Sequence, residues 1–534
     1  MTRAIQAQTV VVGGGPVGMV LACELAWYGV RTVVLEAETA VSRRPKATTL
    51  HARSVQCLVR RGYLGGLAHP GGPTRTEPVT SRFHFAGIPG LVISAPAAEP
   101  EPVLKCSQEV LEHHFEQRAR AAGAQILRGV RVLEVRQGPD GVEVTAQGPN
   151  GRVHCTAEYL VGADGARSTV REQVGFASQA YPATVSAMAG DVRLDTVDDL
   201  QQGWQRTPRG WIVAKRLPGG GTRLRTLNCT SAFRERHRPL VLDELRREVS
   251  WIAGRDIPMG APKWLSRFSD FSRLARSYRK GRILLAGDAA HVYFPIGGQG
   301  LSTGLLDAIG LGWKLAHTVR GTAGEGLLDT YDQERRPAAQ RVIDHTQAQL
   351  ALMRPDPELD PLRALFGKLL TGGEEAGALA SMVSAQDTVL PAHASPWAGE
   401  FLSNVSLTTG QGQTDVIGLL GQGRPLLLLL DTRTAGAYAE QARAWAGLLS
   451  VVSAAPVPEL PCDALLVRPD GYIAWAAGGG ALDAVLTTYF GARRATAAGA
   501  TAGGVLAGTV SRQLPSAARQ GAAARHAPHR LCSR

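Results

Sequence analysis

The chain is short of the features that would mark a disulfide-knit, metal-bound or membrane-spanning protein. Its seven cysteines, Cys23, Cys57, Cys106, Cys155, Cys229, Cys462 and Cys532, form no C-x-x-C pair and no regular spacing. That excludes a zinc ribbon and a dithiol redox site, and fits reduced, packed thiols in a cytoplasmic protein. No pair of histidines has ligand spacing with an acidic partner, so no metal is expected. No uninterrupted apolar stretch approaches the roughly 20 residues of a membrane span. The run from Thr9 to Ala26, behind Arg3, mimics a secretory signal, but Gly13-Gly14-Gly15-Pro16 cuts it into a strand and a helix. There is no internal repeat.

Acidic residues are missing from one region. After Asp483 there is no Asp or Glu, while Arg493, Arg494, Arg512, Arg519, Arg525, Arg530 and Arg534 contribute seven of the formal +12 charges. The body is therefore only mildly basic, and no aromatic-interleaved basic groove accompanies the tail. Neither nucleic acid nor a membrane is expected as a partner. From about Thr496 the chain is rich in Ala, Gly and Arg and reads as disordered. With 534 residues, 44% hydrophobic and 19% charged, the remainder is globular and long enough for two to four domains.

Along the chain, strand Thr9 to Val12, a glycine turn, a helix from about Val20 to Tyr28 and strand Arg31 to Glu36 make a βαβ unit. A helix from Gln108 to Ala122, strands near Val130 to Val135 and Val142 to Ala146, and a strand Tyr159 to Gly162 follow. Between Ala177 and Lys263 strands separated by Pro and Gly suggest an inserted antiparallel sheet. α/β character returns at Arg282 to Ala286 and continues into a long helix after Gly300. The expected class is α/β: a Rossmann-like dinucleotide-binding domain over residues 1–175 and 264–395, a sheet domain over 176–263 that also claims 76–104, a smaller domain over 396–495, and the tail from 496 to 534.

Gly13-x-Gly15-x-x-Gly18 lies between a strand and a helix, with Glu36 at the end of the next strand. Gly13 allows the tight turn, Gly15 lets a pyrophosphate approach the N–H groups at the helix start, with Pro16 a further candidate contact, and Gly18 lets helix and strand pack closely. Glu36 followed by Ala37 suits an unphosphorylated ribose, that of FAD or NAD. Gly287-Asp288-Ala289-Ala290-His291, then Pro295 and Gly297-Gly298-Gln299-Gly300-Leu301-Ser302-Thr303-Gly304, offers a carboxylate for a ribityl hydroxyl and a glycine loop whose N–H groups, at a helix start, can hold a flavin carbonyl edge. That favours FAD. Asp164-Gly165-Ala166-Arg167-Ser168-Thr169-Val170-Arg171 is the third motif.

In this order the three motifs resemble the p-hydroxybenzoate hydroxylase superfamily of single-component flavoprotein monooxygenases, over about residues 8 to 350. Within the resemblance, Arg44-Pro45-Lys46 and Leu50-His51-Ala52-Arg53 match a stretch where basic residues meet the FAD phosphates and NADPH, and Gln108 matches a position near the ribityl chain. The family usually has Asn where this chain has Ser302. Val467 to Trp475, read as RPDG-x-x-AW, is similar to the signature closing the thioredoxin-like domain of three-domain phenol and aromatic polyketide hydroxylases. Without C-x-x-C that domain cannot do dithiol chemistry.

The resemblance implies an enzyme in which NADPH or NADH reduces FAD, O2 adds to give a C4a-hydroperoxide, and one oxygen enters a polycyclic aromatic, polyketide-type substrate. Pro295 is expected nearest the oxygen-transfer position. No base can be named: His51, His84, Tyr181, His237 and His291 are candidates by type alone. Met188, Trp204, Trp211, Phe233 and Met259 are candidate walls of an aromatic pocket. Baeyer–Villiger insertion or oxidative rearrangement through the same intermediate, and a flavin-bearing protein that binds an antibiotic without turnover, compete with hydroxylation. Monomer and homodimer both remain open.

Overall fold

The computed structural model describes residues 3–44, 46–68, 77–196, 200–230, 238–391 and 395–492. Pro45, Phe233, His237 and the basic tail lie outside them.

The strands Thr9–Val12, Thr32–Glu36, Gln125–Arg128, Tyr159–Gly162 and Ile283–Leu285 pair in parallel, with Arg279–Lys280 as an antiparallel edge, in the order 279, 283, 159, 9, 32, 125. Their apolar runs are nearly continuous because both faces are covered. Helix Pro16–Trp27, with Pro in its first turn, is buried along most of its length. It packs against both Gln108–Ala122 and Gly300–Val319. Helix Gln108–Ala122 has the expected bounds: the Ser107 hydroxyl accepts from the Val110 N–H and Gly123, at φ 103°, ends it.

The inserted sheet is antiparallel in the order Gly203–Thr207, Gly210–Arg216, Thr222–Asn228, Ser186–Leu194, Met259–Ser269. Its last strand runs past Lys263 to Ser269. Side chains alternate between faces, so register decides what each residue touches. One face packs with Leu245, Val249 and Ile252 of helix Leu242–Ala253, in a core that contains Met188 and Met259. Those two methionines therefore do not wall a ligand pocket. Met188 pairs with Thr226 and Met259 with Leu194, on the parity opposite to Trp211. Reading residue types without register put them on the wrong face.

Residues 79–95 form a hairpin, Val79–Phe85 against Ile88–Ala95, that shares a core with Trp211, Val185, Ala187 and Leu227. Its tip, Ala86-Gly87, has φ of 53° and 71°. A Cβ on Gly87 would lie 2.9 Å from the Trp211 ring, so the tip can press on that tryptophan only as glycine.

Beyond residue 395, strands Ser450–Ser453, Leu426–Leu429, Ala464–Val467 and Ile473–Ala476 form a mixed sheet in that order. Leu426 and Leu428 face one core, Leu427 and Leu429 the other. The RPDG turn is a clamp onto the nucleotide-binding domain: Arg468 makes a two-pronged contact with Glu334 at 2.8 and 2.9 Å and also bonds Asp470 at 2.6 Å. Asp470 accepts from the Trp313 indole at 3.2 Å, and Glu334 also holds Lys314 at 2.7 Å. Burial would raise the Glu334 pKa, but Arg468 and Lys314 hold it down at about 2. Arg468→Met strands buried carboxylates, so the unfolding free energy in urea is expected to fall by about 3–5 kcal/mol; unchanged stability would contradict the clamp.

Candidate active site

A single cavity of about 1350 Å³ runs from the first glycine turn to the inserted sheet. At its dinucleotide end Gly13, at φ 106°, lies where a Cβ would meet the Ala163 carbonyl oxygen at 2.3 Å, so the first and third motifs interlock. A Cβ on Gly18 would stand 2.0 Å from the Gly13 carbonyl oxygen, which is why the helix can lie on the strand. Gly18 serves packing and does not line the cavity. At Gly15 a Cβ would meet nothing within 4 Å, and the empty space there belongs to the cavity, together with Pro16, Glu36 and Ala37. Glu36 accepts from the Gly14 N–H and, at 2.7 Å, from the Glu38 N–H, leaving each carboxylate oxygen a lone pair for a ligand hydroxyl. Gln108 lines the wall and accepts from the Ala47 N–H at 3.4 Å. Lys46 stands exposed at the rim, whereas Arg44 is exposed and outside the wall.

Asp164 and Gly165 come next along the wall. Asp164 Oδ2 accepts from the Val170 N–H at 3.1 Å, but Oδ1 is buried without a hydrogen-bond partner among the described residues. Burial raises its pKa, and the hydrogen bonds donated around it offset that only in part. Asp288 is exposed to the cavity, where desolvation by the surrounding walls raises its pKa, opposed by the nearby Lys46 charge. The turn carrying it is held from behind by Asp307, which accepts from the Gly287 N–H at 3.1 Å, from His291 Nε2 at 2.7 Å and from Arg335 at 2.8 Å. Burial alone would raise the Asp307 pKa; His291 and Arg335 keep it below the usual range.

Pro295 precedes a tight turn, Ile296–Gly298, in which Gly297 and Gly298 have φ of 74° and 67°. Pro295, Gly298, Gly300 and Leu301 all line the cavity, and the helix from Gly300 starts there with N–H groups that have no helical acceptor. His51 donates from Nε2 to the Gly297 carbonyl at 2.7 Å, and its N–H bonds the Ser302 hydroxyl at 3.0 Å, which also receives Ser54 Oγ at 3.0 Å. Ser302 thus sits behind the loop and not in the cavity; here Ser knits the loop to strand Thr49–His51. Together, the glycine gap, the unpartnered Asp164 oxygen and the helix start fit the diphosphate, ribityl chain and ring of FAD.

The other end of the cavity is floored by the inserted sheet. Its rungs read Trp211, Leu227, Ala187, Phe268, then Val213, Arg225, Ala189, Ser266, then Lys215, Arg223, Asp191, Trp264. Trp204 pairs with Val213 and stands edge-on to Trp211 at 6.0 Å. Phe83 stacks on His84 at 4.9 Å, and His84 meets Trp204 at 4.7 Å. Arg82 and Lys105 complete this end.

Among the candidate bases, His84 lines this chamber, with burial lowering its pKa to about 4. His291 is in the wall but tied to Asp307. His51 is behind the loop, and Tyr181 bonds Gln340 outside the cavity. Arg53 is also withdrawn: it is buried, donates to the Ala385 and Gln386 carbonyls and stacks 3.8 Å from Phe401. Burial lowers His51 and His317 to about 4 each. The unfolded chain takes up protons near pH 6.5 where the folded protein does not, so stability falls as pH drops from there toward 4. Urea unfolding is expected to lose about 2–3 kcal/mol between pH 7 and 5.5 from these two residues; a flat profile would contradict their neutral burial.

The chain matches the model of an FAD binding domain over residues 6–346 and that of the aromatic-ring hydroxylase C-terminal region over 395–493. The chain belongs to the FAD-dependent aromatic-ring hydroxylases. Membership makes it a flavoprotein monooxygenase with FAD as cofactor. It is 37% identical to dialkyldecalin synthase of Streptomyces rugosporus, over 90% of this chain and 98% of that protein. It is 35% identical to rifampicin monooxygenase of Streptomyces venezuelae, over 88% and 95%. The solved anhydrotetracycline hydroxylase of Streptomyces rimosus superimposes with a TM-score of 0.82 at 35% identity, covering 92% of this chain and all of that one. Among the described residues no helix is long and apolar enough to cross a membrane, and no cluster of His, Cys, Asp or Glu could hold a metal.

Proposed function

We propose that this hydroxylase uses NADPH or NADH and O2 to hydroxylate a polycyclic aromatic, polyketide-type small molecule. The observation that carries the reading is the continuity of one cavity, about 1350 Å³, from the glycine cradle to the aromatic chamber. An ordinary small-molecule pocket is about 300–1,000 Å³, so there is room for a dinucleotide and a multi-ring substrate end to end. The similarity to enzymes named for rifampicin and anhydrotetracycline supports that substrate class.

Bound FAD, once reduced, would supply an electrophilic oxygen atom from O2. The chain's part is placement. Gly13, Gly15, Pro16, Glu36, Ala37, Lys46 and Gln108 would hold the adenosine and diphosphate, Asp164, Gly165 and Asp288 the ribityl chain, and Gly298, Gly300 and Leu301 the ring edge. Pro295 stands at the junction with the chamber. Trp204, Trp211 and Phe268 would seat the substrate and exclude water. Residues 76–104 and the inserted sheet act as the substrate domain. The C-terminal domain is read as thioredoxin-like, with a packing role supported by the Arg468 clamp. Reduced thiols at Cys23, Cys57, Cys155, Cys229 and Cys462 support a reducing, cytoplasmic setting.

A second reading is supported by the likeness to a dialkyldecalin synthase: the same chamber folds a substrate into a ring-closing geometry with no oxygen added. Turnover of a polycyclic phenol under heavy-isotope O2, followed by mass analysis, separates the two. A product heavier by one labelled oxygen is expected; an isomer of the substrate, formed without NADPH, would overturn hydroxylation.

A further inference from the structure

Among the described residues, the charged side chains that the hairpin, the strand Val103–Lys105 and the inserted sheet present to the chamber are Arg82, Lys105 and Arg225, all cationic. Lys105 is engaged by the Thr49 hydroxyl at 3.1 Å. One rung away, Arg223 holds Asp191 by two bonds of 2.7 and 2.8 Å, which neutralises the nearest carboxylate of the sheet. Arg225 is different. It lies in the middle rung between Val213 and Ala189, lines the cavity half-buried, and makes no hydrogen bond or ion pair with any described residue. Its guanidinium opens onto the cavity with no acceptor among the described residues, and a ligand that closes over it must offer an acceptor of its own or pay to desolvate the charge. Among the described residues, the one negative charge that acts on it, Asp191 on the adjacent strand, is already bonded by Arg223; Arg223, His84 and Lys105 add none.

We propose that Arg225 binds an anionic oxygen of the substrate, a carboxylate or an ionised phenol or enol, and so makes the enzyme selective for acidic polycyclic aromatics. The planar fork of arginine suits the two oxygens of a carboxylate, and a single ionised phenol oxygen can accept from one or two of its N–H groups. This rests on the aromatic-substrate reading above.

The test uses FAD-loaded protein and three anthraquinones: emodin, its monomethyl ether physcion, in which the most acidic hydroxyl is blocked, and its carboxylic acid endocrocin. Binding is followed by perturbation of the flavin spectrum. Emodin or endocrocin is expected to bind at least about tenfold tighter than physcion. Arg225→Met should abolish that preference while Arg225→Lys keeps part of it, and the KM for NADPH should not change. Emodin affinity that rises with pH identifies an ionised phenol as the ligand group; a pH-independent preference for endocrocin identifies a carboxylate. Equal binding of all three, or a preference that survives in Arg225→Met, overturns the proposal, as does a change in NADPH KM with the anion preference intact. If no anthraquinone perturbs the flavin, it is the aromatic-substrate reading that fails.

Discussion

Gly15→Val is expected to give a folded protein that has lost FAD. Gly15 has φ −72° and ψ 179°, a conformation open to any residue, and a Cβ there meets no protein atom within 4 Å. The cost to folding is therefore confined to a poorer helix cap, about 1 kcal/mol. The new methyl groups would instead fill the space in which a diphosphate must approach the helix N–H groups. FAD affinity should drop by about 1000-fold, or about 4 kcal/mol, with little change in circular dichroism. Gly18→Val is the contrast: its Cβ would stand 2.0 Å from a backbone oxygen, so loss of soluble protein is expected. Retention of yellow flavin by Gly15→Val would show that the cofactor lies elsewhere.

Asp307→Asn is expected to damage stability and flavin retention together. Asp307 is fully buried and its two oxygens serve the Gly287 N–H, His291 and Arg335. The amide keeps the volume but leaves the buried Arg335 without a counter-charge, a loss of about 3–5 kcal/mol. It also frees the turn that aims Asp288 into the cavity, so FAD should bind at least about tenfold more weakly. Adding Arg335→Met should recover part of the stability, because no charge is then left buried, while the flavin defect remains. A double variant less stable than Asp307→Asn would contradict this account of the cluster.

The parallel sheet was legible because both its faces are buried and its strands read as unbroken apolar runs, and the glycine motifs were legible because steric demand leaves no other residue at Gly13 or Gly18. The chamber was harder to read. Its walls depend on strand register, which alternates Met188 and Ala189 between a core and a cavity without any mark in composition. A signal was present in the charges on the parity of Leu227 and Trp211: Arg223 is matched by Asp191 on the adjacent strand, whereas Arg225 stands between Val213 and Ala189. Asp307 and Arg335 escaped because their partners are 20 and 28 residues away in sequence, a separation that no local pattern reports. Arg53 and Ser302 sit in matching stretches of sequence, yet packing turns both away from the cavity.

The most direct measurement is anaerobic mixing of FAD-loaded protein with NADPH while the oxidised flavin absorbance is followed, with and without a polycyclic phenol. One continuous cavity shared by cofactor and substrate predicts a yellow protein whose flavin bleaches at least about tenfold faster when the phenol is present, a barrier change of about 1.4 kcal/mol. A colourless protein that takes up no added FAD, or a flavin that bleaches at the same rate with every aromatic ligand, would contradict it.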